Sequence, residues 1–313
     1  MSITVVRAAP YLTVQDFGRT RYREFGVPRC GAMDRYALGA ANSVLGNDPE
    51  CAGLEWALGG GVLRFDTACR FAIGGATADA SLDAAAVSSL TAFTANAGDA
   101  LEIGRFTSGR FLYVAVEGGI LIEQLLGSGS TYLPAHFGGV EGRLMKSGDI
   151  LPVGPSATPG RPDFSAPDGL RIDYSRSAIR VIPGPQWSLF SESDRTLFFS
   201  QQYTVSRSSD RMGYRLEGAP LSAELGLLPS EAVCEGTIQL PPDGLPIVLM
   251  ADSPTVGGYP KIGVVSATDL PVLAQRNPGG AIRFELTTVE DAQRRLRRSA
   301  ASLFTLGSLA SKA

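Results

Sequence analysis

Five polar side chains cluster in one short stretch of this chain, residues 234–265, CEGTIQLPPDGLPIVLMADSPTVGGYPKIGVV: Gln239, Asp252, Thr255, Tyr259 and Lys261. Together they offer a cation, a proton acceptor, an amide that can both donate and accept, and two hydroxyls. That set suits recognition of a small polar substrate and movement of a proton on it. Gly257 and Gly258 allow positive φ or close approach of a ligand to the backbone. The plainer alternative is that Asp252 caps a turn and the glycines only turn the chain.

A second charged stretch lies just upstream. Residues 206–216, SRSSDRMGYRL, bring in Asp210, Arg211 and Arg215. An arginine fork suits a carboxylate or a phosphate. In the first half, residues 15–34, QDFGRTRYREFGVPRCGAMD, supply Asp16, Arg19 and Asp34. This segment lacks apolar periodicity and reads as a long ordered loop, either functional or a packed irregular connection. An Asp16–Arg19 contact has two readings of equal weight, a site or a brace that satisfies the loop's polar groups. The loose parallel between the DxxGR and DRxGYR loops hints at duplication, without an exact repeat.

The elements that must position these residues are mainly short strands. Apolar runs at 3–6, 11–14, 54–58, 62–65, 71–73, 101–103 and 111–116 predict strands in the first half. In the second half the runs at 170–172, 179–182, 273–275 and 282–286 do the same. The runs at 237–240, 247–251 and 262–265 predict a meander joined by Pro/Gly turns. Asp34 is placed to cap a helix over 35–45, stopped by Gly46-Asn47. A short helix is expected over 187–198 without an obvious capping box, and an amphipathic, Arg-rich helix over 289–303. Residues 77–89, rich in Ala and Ser, read as helix or loop. Residues 154–166 are dense in Pro, Gly and Ser. The expected organisation is an N-terminal β-rich half (1–155), a linker (156–168), a C-terminal β-barrel half carrying the main motifs (169–288), and a helix with its tail (289–313).

Composition narrows the chemistry. With 313 residues, 44% of them hydrophobic, the chain has length for a large core. A net charge of -3 gives no electrostatic reason to expect nucleic acid or an anionic membrane as partner. The four cysteines are widely spaced, no CxxC occurs, and His136 is the one histidine. A Cys/His zinc site is therefore not expected, and a Ser-His-Asp or Cys-His triad would need His136, which reads as a partly exposed turn residue. No metal site is expected. Isolated cysteines fit small buried residues in a reducing compartment. The N-terminus lacks a basic start and a long apolar core, and no apolar run approaches the roughly 20 residues that span a bilayer. The expectation is a soluble, cytoplasmic protein.

Longer motifs identify a family. TVQDFGRTRYREFGVPRCGAMD, AANSVLGND, Leu54-Glu55, VEGGI, LGSGSTY and GRLMKSGD resemble the first half of the allophanate hydrolase subunit 2 family, also called the biotin-dependent carboxyltransferase family. IPGPQ, SDRMGYRLEG, EGTIQLPPDGLPIVLMAD, TVGGYPKI and LPVLAQ match its second half. The family includes the C subunit of ATP-dependent 5-oxoprolinase and the antikinase regulator KipA. The resemblance implies a mainly β fold with cyclophilin-like barrels. It also implies a subunit 1 type partner, KipI-like and of the B type, and a further partner of the A type.

The chain carries no biotinylation motif, biotin carboxylase or ATP-grasp segment, or P-loop lysine. Any ATP or biotin chemistry must draw on partner chains. The resemblance therefore implies the C subunit of a 5-oxoprolinase that opens 5-oxoproline to glutamate at the expense of ATP. The alternatives are a carboxyltransferase component of a urea or amide carboxylase, and a KipA-like binding protein that sequesters its partner. Under the first reading Asp210, Arg211, Asp252 and Lys261 are the catalytic candidates. Arg211, Arg215 and Lys261 steady a developing anion, and the aspartates orient those cations or take protons. Arg215, Gln239, Thr255, Tyr259, Asp16, Arg19 and Asp34 are the candidates for binding substrate, with Gln239 reading the amide.

Overall fold

The computed structural model describes residues 1–155, 163–222 and 228–312. It divides into two compact units. Unit 1 holds Met1–Arg19, Cys30–Ile172 and Ser299–Ala313; unit 2 holds Thr20–Arg29 and Asp173–Arg298. Of the expected linker, residues 156–162 lie outside those described. Phe164 and Ala166 belong to unit 1, where the Phe164 carbonyl accepts from Ala92 N–H and the Ala166 N–H donates to the Leu90 carbonyl.

Unit 1 is a nine-stranded sheet. Its strands are β1 (Ser2–Arg7), β2 (Tyr11–Gln15), β3 (Gly53–Ala57), β4 (Gly61–Phe65), β5 (Cys69–Leu82), β6 (Ala85–Ala86), β7 (Phe93–Ala95), β8 (Ala100–Val116) and β9 (Ile150–Pro152). The order is β2-β3-β8-β4-β1-β9, with β5 paired to β6, β7 and β8. Strand β8 is the spine. Its start pairs with β4 (Leu63↔Leu101) and its end with β3 (Leu54↔Val114), so the runs at 101–103 and 111–116 are two ends of one strand. Residues 77–89 are neither helix nor simply loop. β5 continues to Leu82 and turns back into β6. Alanine and serine have little strand preference, but pairing of Ser81 with Glu102 and Leu82 with Leu101 overrides it.

The two faces of β5 and β8 differ in side-chain size. Phe71, Ile73, Val114 and Val116 point into a core shared with Trp56, Phe65 and Leu101. The alternate residues Ala72 and Ala115 pack instead against α1 (Arg35–Val44), at Ala40, Ala41 and Val44. Small side chains let the helix settle close to the sheet. Gly74 carries this furthest, because a Cβ there would stand 2.7 Å from the Ala37 carbonyl. The expected strand at 170–172 is absent. A 3-10 turn at Asp168–Leu170 takes its place, with Leu170 and Ile172 packed on the α1 core.

Unit 2 contains β10 (Ala178–Pro183), β11 (Tyr203–Val205), β12 (Gly213–Glu217), β13 (Glu231–Ala232), β14 (Thr237–Gln239), β15 (Ile247–Leu249), β16 (Val256–Gly257), β17 (Lys261–Val265) and β18 (Ala281–Leu286). Seven of these close a barrel in the order β10-β17-β14-β15-β12-β11-β18. The β18–β10 seam is parallel. Closure leaves no open edge. Phe198 stacks on Phe284 at 4.7 Å, beside the buried Tyr203. The three central runs are not a simple meander. β14 lies between β15 and β17, and the chain joining those two includes β16, which pairs with β13 in a separate two-stranded sheet.

Helices α2 (Glu192–Ser200), α3 (Leu270–Ala274) and α4 (Val289–Ala310) complete the fold. The expected helix over 187–198 is two pieces, a 3-10 turn at Trp187–Leu189 and then α2, separated by an extended Phe190. α2 has a cap after all. Ser191 Oγ accepts from the Asp194 N–H at 3.0 Å and donates to the Asp194 carboxylate at 2.6 Å. Residues 273–275 do not form a strand. They sit at the end of α3, whose first turn accepts Pro271 and whose residues are all buried. A short apolar run fits a buried strand and a buried helix equally well. α4 runs past 303 because Leu306 and Ala310 are buried in unit 1.

Candidate functional site

The barrel brings several of the expected residues to one place in unit 2. Gln239, at the end of β14, pairs with Lys261, at the start of β17, across a register shift. The Lys261 side chain is only 3% exposed. Its ammonium donates to Glu231 Oε1 at 2.7 Å and to the Tyr259 carbonyl at 3.2 Å. Gln186 completes the arrangement. Its Nε2 donates to the same Glu231 oxygen at 2.7 Å, and its Oε1 accepts from the Lys261 N–H at 3.1 Å. Hydrogen bonds from Lys261 and then Gln186, with the lysine's charge, hold the Glu231 carboxyl below the usual carboxylate range. Glu231 itself is on β13, its side chain 45% exposed.

Gln239 is buried, and among the described residues its Nε2 has no hydrogen-bond partner. It lies against Gly257 of β16, where a Cβ would come within 2.3 Å of that nitrogen. A buried amide donor without an acceptor is costly and rare. Tyr259 is exposed, and its carbonyl serves Lys261. Arg23, from the Thr20–Arg29 segment of unit 2, donates to the Val233 carbonyl at 2.5 Å and the Pro254 carbonyl at 3.3 Å. One guanidinium thus ties down the segments that carry β13 and β16.

Arg211 and Asp252 form a different structure. Both are buried, and the guanidinium Nε and Nη2 each meet a carboxylate oxygen at 2.8 Å. The Asp252 N–H also donates to the Arg211 carbonyl at 2.9 Å. Asp210 is exposed and folds a turn, its Oδ1 accepting from the Met212 and Gly213 N–H groups. Arg215 is exposed on β12. Thr255 is buried, and its carbonyl accepts from the Val233 N–H.

The first-half candidates belong to unit 1. Asp16 is buried and saturated, accepting from the Gly18 N–H at 2.7 Å, Ser128 Oγ at 2.6 Å, the Gly129 N–H at 2.6 Å and Ser130 Oγ at 2.5 Å. Arg19, also buried, donates to the carbonyls of Leu125, Ser128 and Ser130 and lies over the Phe137 ring. No direct ion pair between Asp16 and Arg19 occurs among the described residues. Each grips the 125–130 loop separately. Asp16 also borders a cavity of about 470 Å³ lined by Glu50, Cys51 and the 118–124 turn. Asp34 caps α1 by accepting from the Ala37 N–H at 2.9 Å. Replacing Asp16 with alanine strands two hydroxyls and two N–H groups, and the expected loss in chemical denaturation is about 2–3 kcal/mol. A loss below about 0.5 kcal/mol would leave the loop held by something else.

Residue-by-residue reading missed Glu231, Gln186 and Arg23 of unit 2, and Glu55 and Tyr113 of unit 1. Glu55 is fully buried and accepts from the Met33 N–H and the Tyr113 hydroxyl, which in turn accepts from the Asp34 N–H. Burial, then the Glu55 and Asp34 charges, push the Tyr113 hydroxyl well up. The cysteines are mixed. Cys30 and Cys69 are buried, Cys51 half-buried and Cys234 exposed, against the expectation that all are buried. Burial, then Glu117, pushes the Cys69 thiol up to about 11. Among the described residues no helix is long and apolar enough to cross a membrane.

The closed barrel thus sets a buried lysine, an amide and a paired carboxylate side by side in unit 2. The chain belongs to the carboxyltransferase domain family, subdomain A and B, which it matches over residues 25–286. It is 37% identical over 288 residues to the 5-oxoprolinase C subunit of Haemophilus influenzae, covering 92% of each chain. It is 39% identical over 292 residues to the 5-oxoprolinase C subunit of Escherichia coli, covering 93% of each. The solved urea carboxylase of Kluyveromyces lactis has the same fold, with a TM-score of 0.89 at 30% identity over 97% of this chain. The chain spans 29% of that larger protein.

Proposed function

We propose that this chain is the C subunit of an ATP-dependent 5-oxoprolinase, acting with A-type and B-type partner chains to open 5-oxoproline to glutamate. The observation that carries the reading is identity of 37% and 39% to proteins of that name, over 92% and 93% of both chains. Opening a lactam is uphill, and ATP supplies the activation by phosphorylating the amide oxygen. The ATP site is shared with the partner chains. In this chain, Lys261 is the cation for an anionic group, and Gln239 is the donor for a carbonyl. Arg211 and Asp252 position the turn that leads into β16. Tyr259 and Thr255 border the same segment, and Asp210 shapes the approach to β12.

A second reading is carboxyl transfer, favoured by the family description and by the urea carboxylase fold. A lysine and an amide would hold a carboxylated donor as well as they hold a carboxylate substrate. The test is glutamate release from 5-oxoproline and ATP by the three chains together, and with this chain omitted. Activity in the full mixture alone is expected. No activity in either, with all chains folded and associated, would favour carboxyl transfer or a KipA-like regulatory role.

A further inference from the structure

The geometry points to Glu231 as an internal stand-in for a ligand carboxylate: it occupies an anion site built by Lys261 Nζ and Gln186 Nε2, and a carboxylate-bearing lactam displaces it and engages Gln239 Nε2. This rests on the reading above for the identity of the ligand, and on the site's own geometry for its existence.

Three observations support it. First, both donors converge on one oxygen. Glu231 Oε1 accepts from Lys261 and Gln186 at 2.7 Å each, which is how a charge-assisted carboxylate site is built. Gln186 cannot easily turn away, because its own oxygen is engaged by the Lys261 N–H. Second, the cation is buried and the anion reaches the surface. Lys261 lies on a barrel strand with its side chain 3% exposed, whereas Glu231 lies outside the barrel on the short strand β13, paired with β16, with its side chain 45% exposed. A buried lysine needs a counter-charge, but nothing requires that it come from this chain. Third, a donor nearby is unused. Gln239 Nε2 is buried and, among the described residues, unpartnered, and it belongs to the residue that pairs with Lys261 across β14 and β17. A lactam carbonyl is the acceptor it lacks. Carboxylate and carbonyl are close-set functions on the 5-oxoproline ring, matching a cation and an amide donor carried by paired residues.

Glu231 is then a competitor that keeps the site closed until ligand arrives. Bonds are exchanged, not made: one carboxylate leaves the two donors and another takes its place. Because the internal carboxylate lowers the fraction of open sites, removing its charge should raise apparent affinity, by about tenfold if one site in ten is open.

The experiment is calorimetric titration of the full chain with 5-oxoproline and, separately, with 2-pyrrolidinone, which has the lactam but no carboxylate. Glu231→Gln should tighten 5-oxoproline about tenfold and leave 2-pyrrolidinone unchanged. Lys261→Met should abolish the tightening in the double variant, and Gln239→Leu should weaken both ligands. Glu231 is a surface residue, so its variant keeps the parent fold, which circular dichroism verifies. Unchanged or weaker 5-oxoproline binding in Glu231→Gln overturns the proposal, as does equal tightening of 2-pyrrolidinone. Failure of the assembled complex to release glutamate would overturn the functional reading alone, because the titration does not depend on turnover.

Discussion

Arg211→Ala is expected to lower the stability of unit 2 by about 3–5 kcal/mol, while the turnover of the assembled complex, per folded chain, stays within a few-fold of the parent. The guanidinium is bound on two sides by Asp252, and both groups are buried, with side chains 9% and 5% exposed. Removing one partner leaves a charge in a low-dielectric interior without compensation, which costs far more than the intact pair contributes. Arg211→Lys should recover little, since a point charge cannot replace two parallel N–H donors. The same pair fastens neighbouring backbone. The Asp252 N–H meets the Arg211 carbonyl, and the Met250 N–H meets the Met212 carbonyl. Beyond that turn the chain enters β16 and sets Gly257 against Gln239. Urea unfolding of the purified chain and a glutamate assay on the complex separate the two roles. If turnover collapses while the unfolding midpoint hardly moves, Arg211 touches the reacting atoms and the positioning role is wrong.

The residue types of the site were legible in the sequence, but their pairings were not. Lys261 and Gln239 stood out because polar residues at strand ends in a Pro/Gly-rich stretch rarely serve the core alone. That they face each other depends on β14 lying between β15 and β17, an order no local pattern specifies. Glu231 was invisible for the same reason. It sits on a two-residue strand whose partner, β16, is far along the chain, and two residues carry no period. Arg211 and Asp252 were both marked out, yet their separation of 41 residues hid the ion pair. The mainly β class was foreseen because short β-type runs with turn residues between them imply layered β structure, whereas the barrel was implied by the family resemblance and not by the runs. The errors lie where tertiary contact decides. Residues 77–82 become strand only because β8 is there to pair with them, and Leu273 and Ala274 fall in the buried helix α3, with Gln275 as its cap.

Asp269→Asn is expected to cost about 3–5 kcal/mol at pH 7, with the cost shrinking as the pH falls below about 4. Asp269 is fully buried beneath two arginines. Its oxygens accept from Arg180 Nε at 2.9 Å and Nη2 at 2.5 Å, from the Arg180 N–H at 2.7 Å and from Arg176 Nη2 at 2.8 Å. Burial alone would raise the carboxyl, but the hydrogen bonds from Arg180 and Arg176 outweigh it and hold the group below the usual carboxylate range. A carboxyl depressed in the folded state stabilises it fully above its unfolded value, and that contribution is lost as pH falls through the folded one. Parent and variant should therefore converge in acid, where both carry a neutral side chain at 269. Unfolding curves spanning neutral pH to about pH 3 read this directly. A difference that holds constant across the range would mean that shape, and not charge, makes Asp269 necessary. The consequence reaches the site. Asp269 anchors β10 through the Arg180 N–H, β10 pairs with β17, and the turn after β10 carries Gln186 to the Lys261 N–H. Loosening that anchor at neutral pH should therefore weaken, in the variant's folded fraction, the carboxylate binding proposed at Lys261.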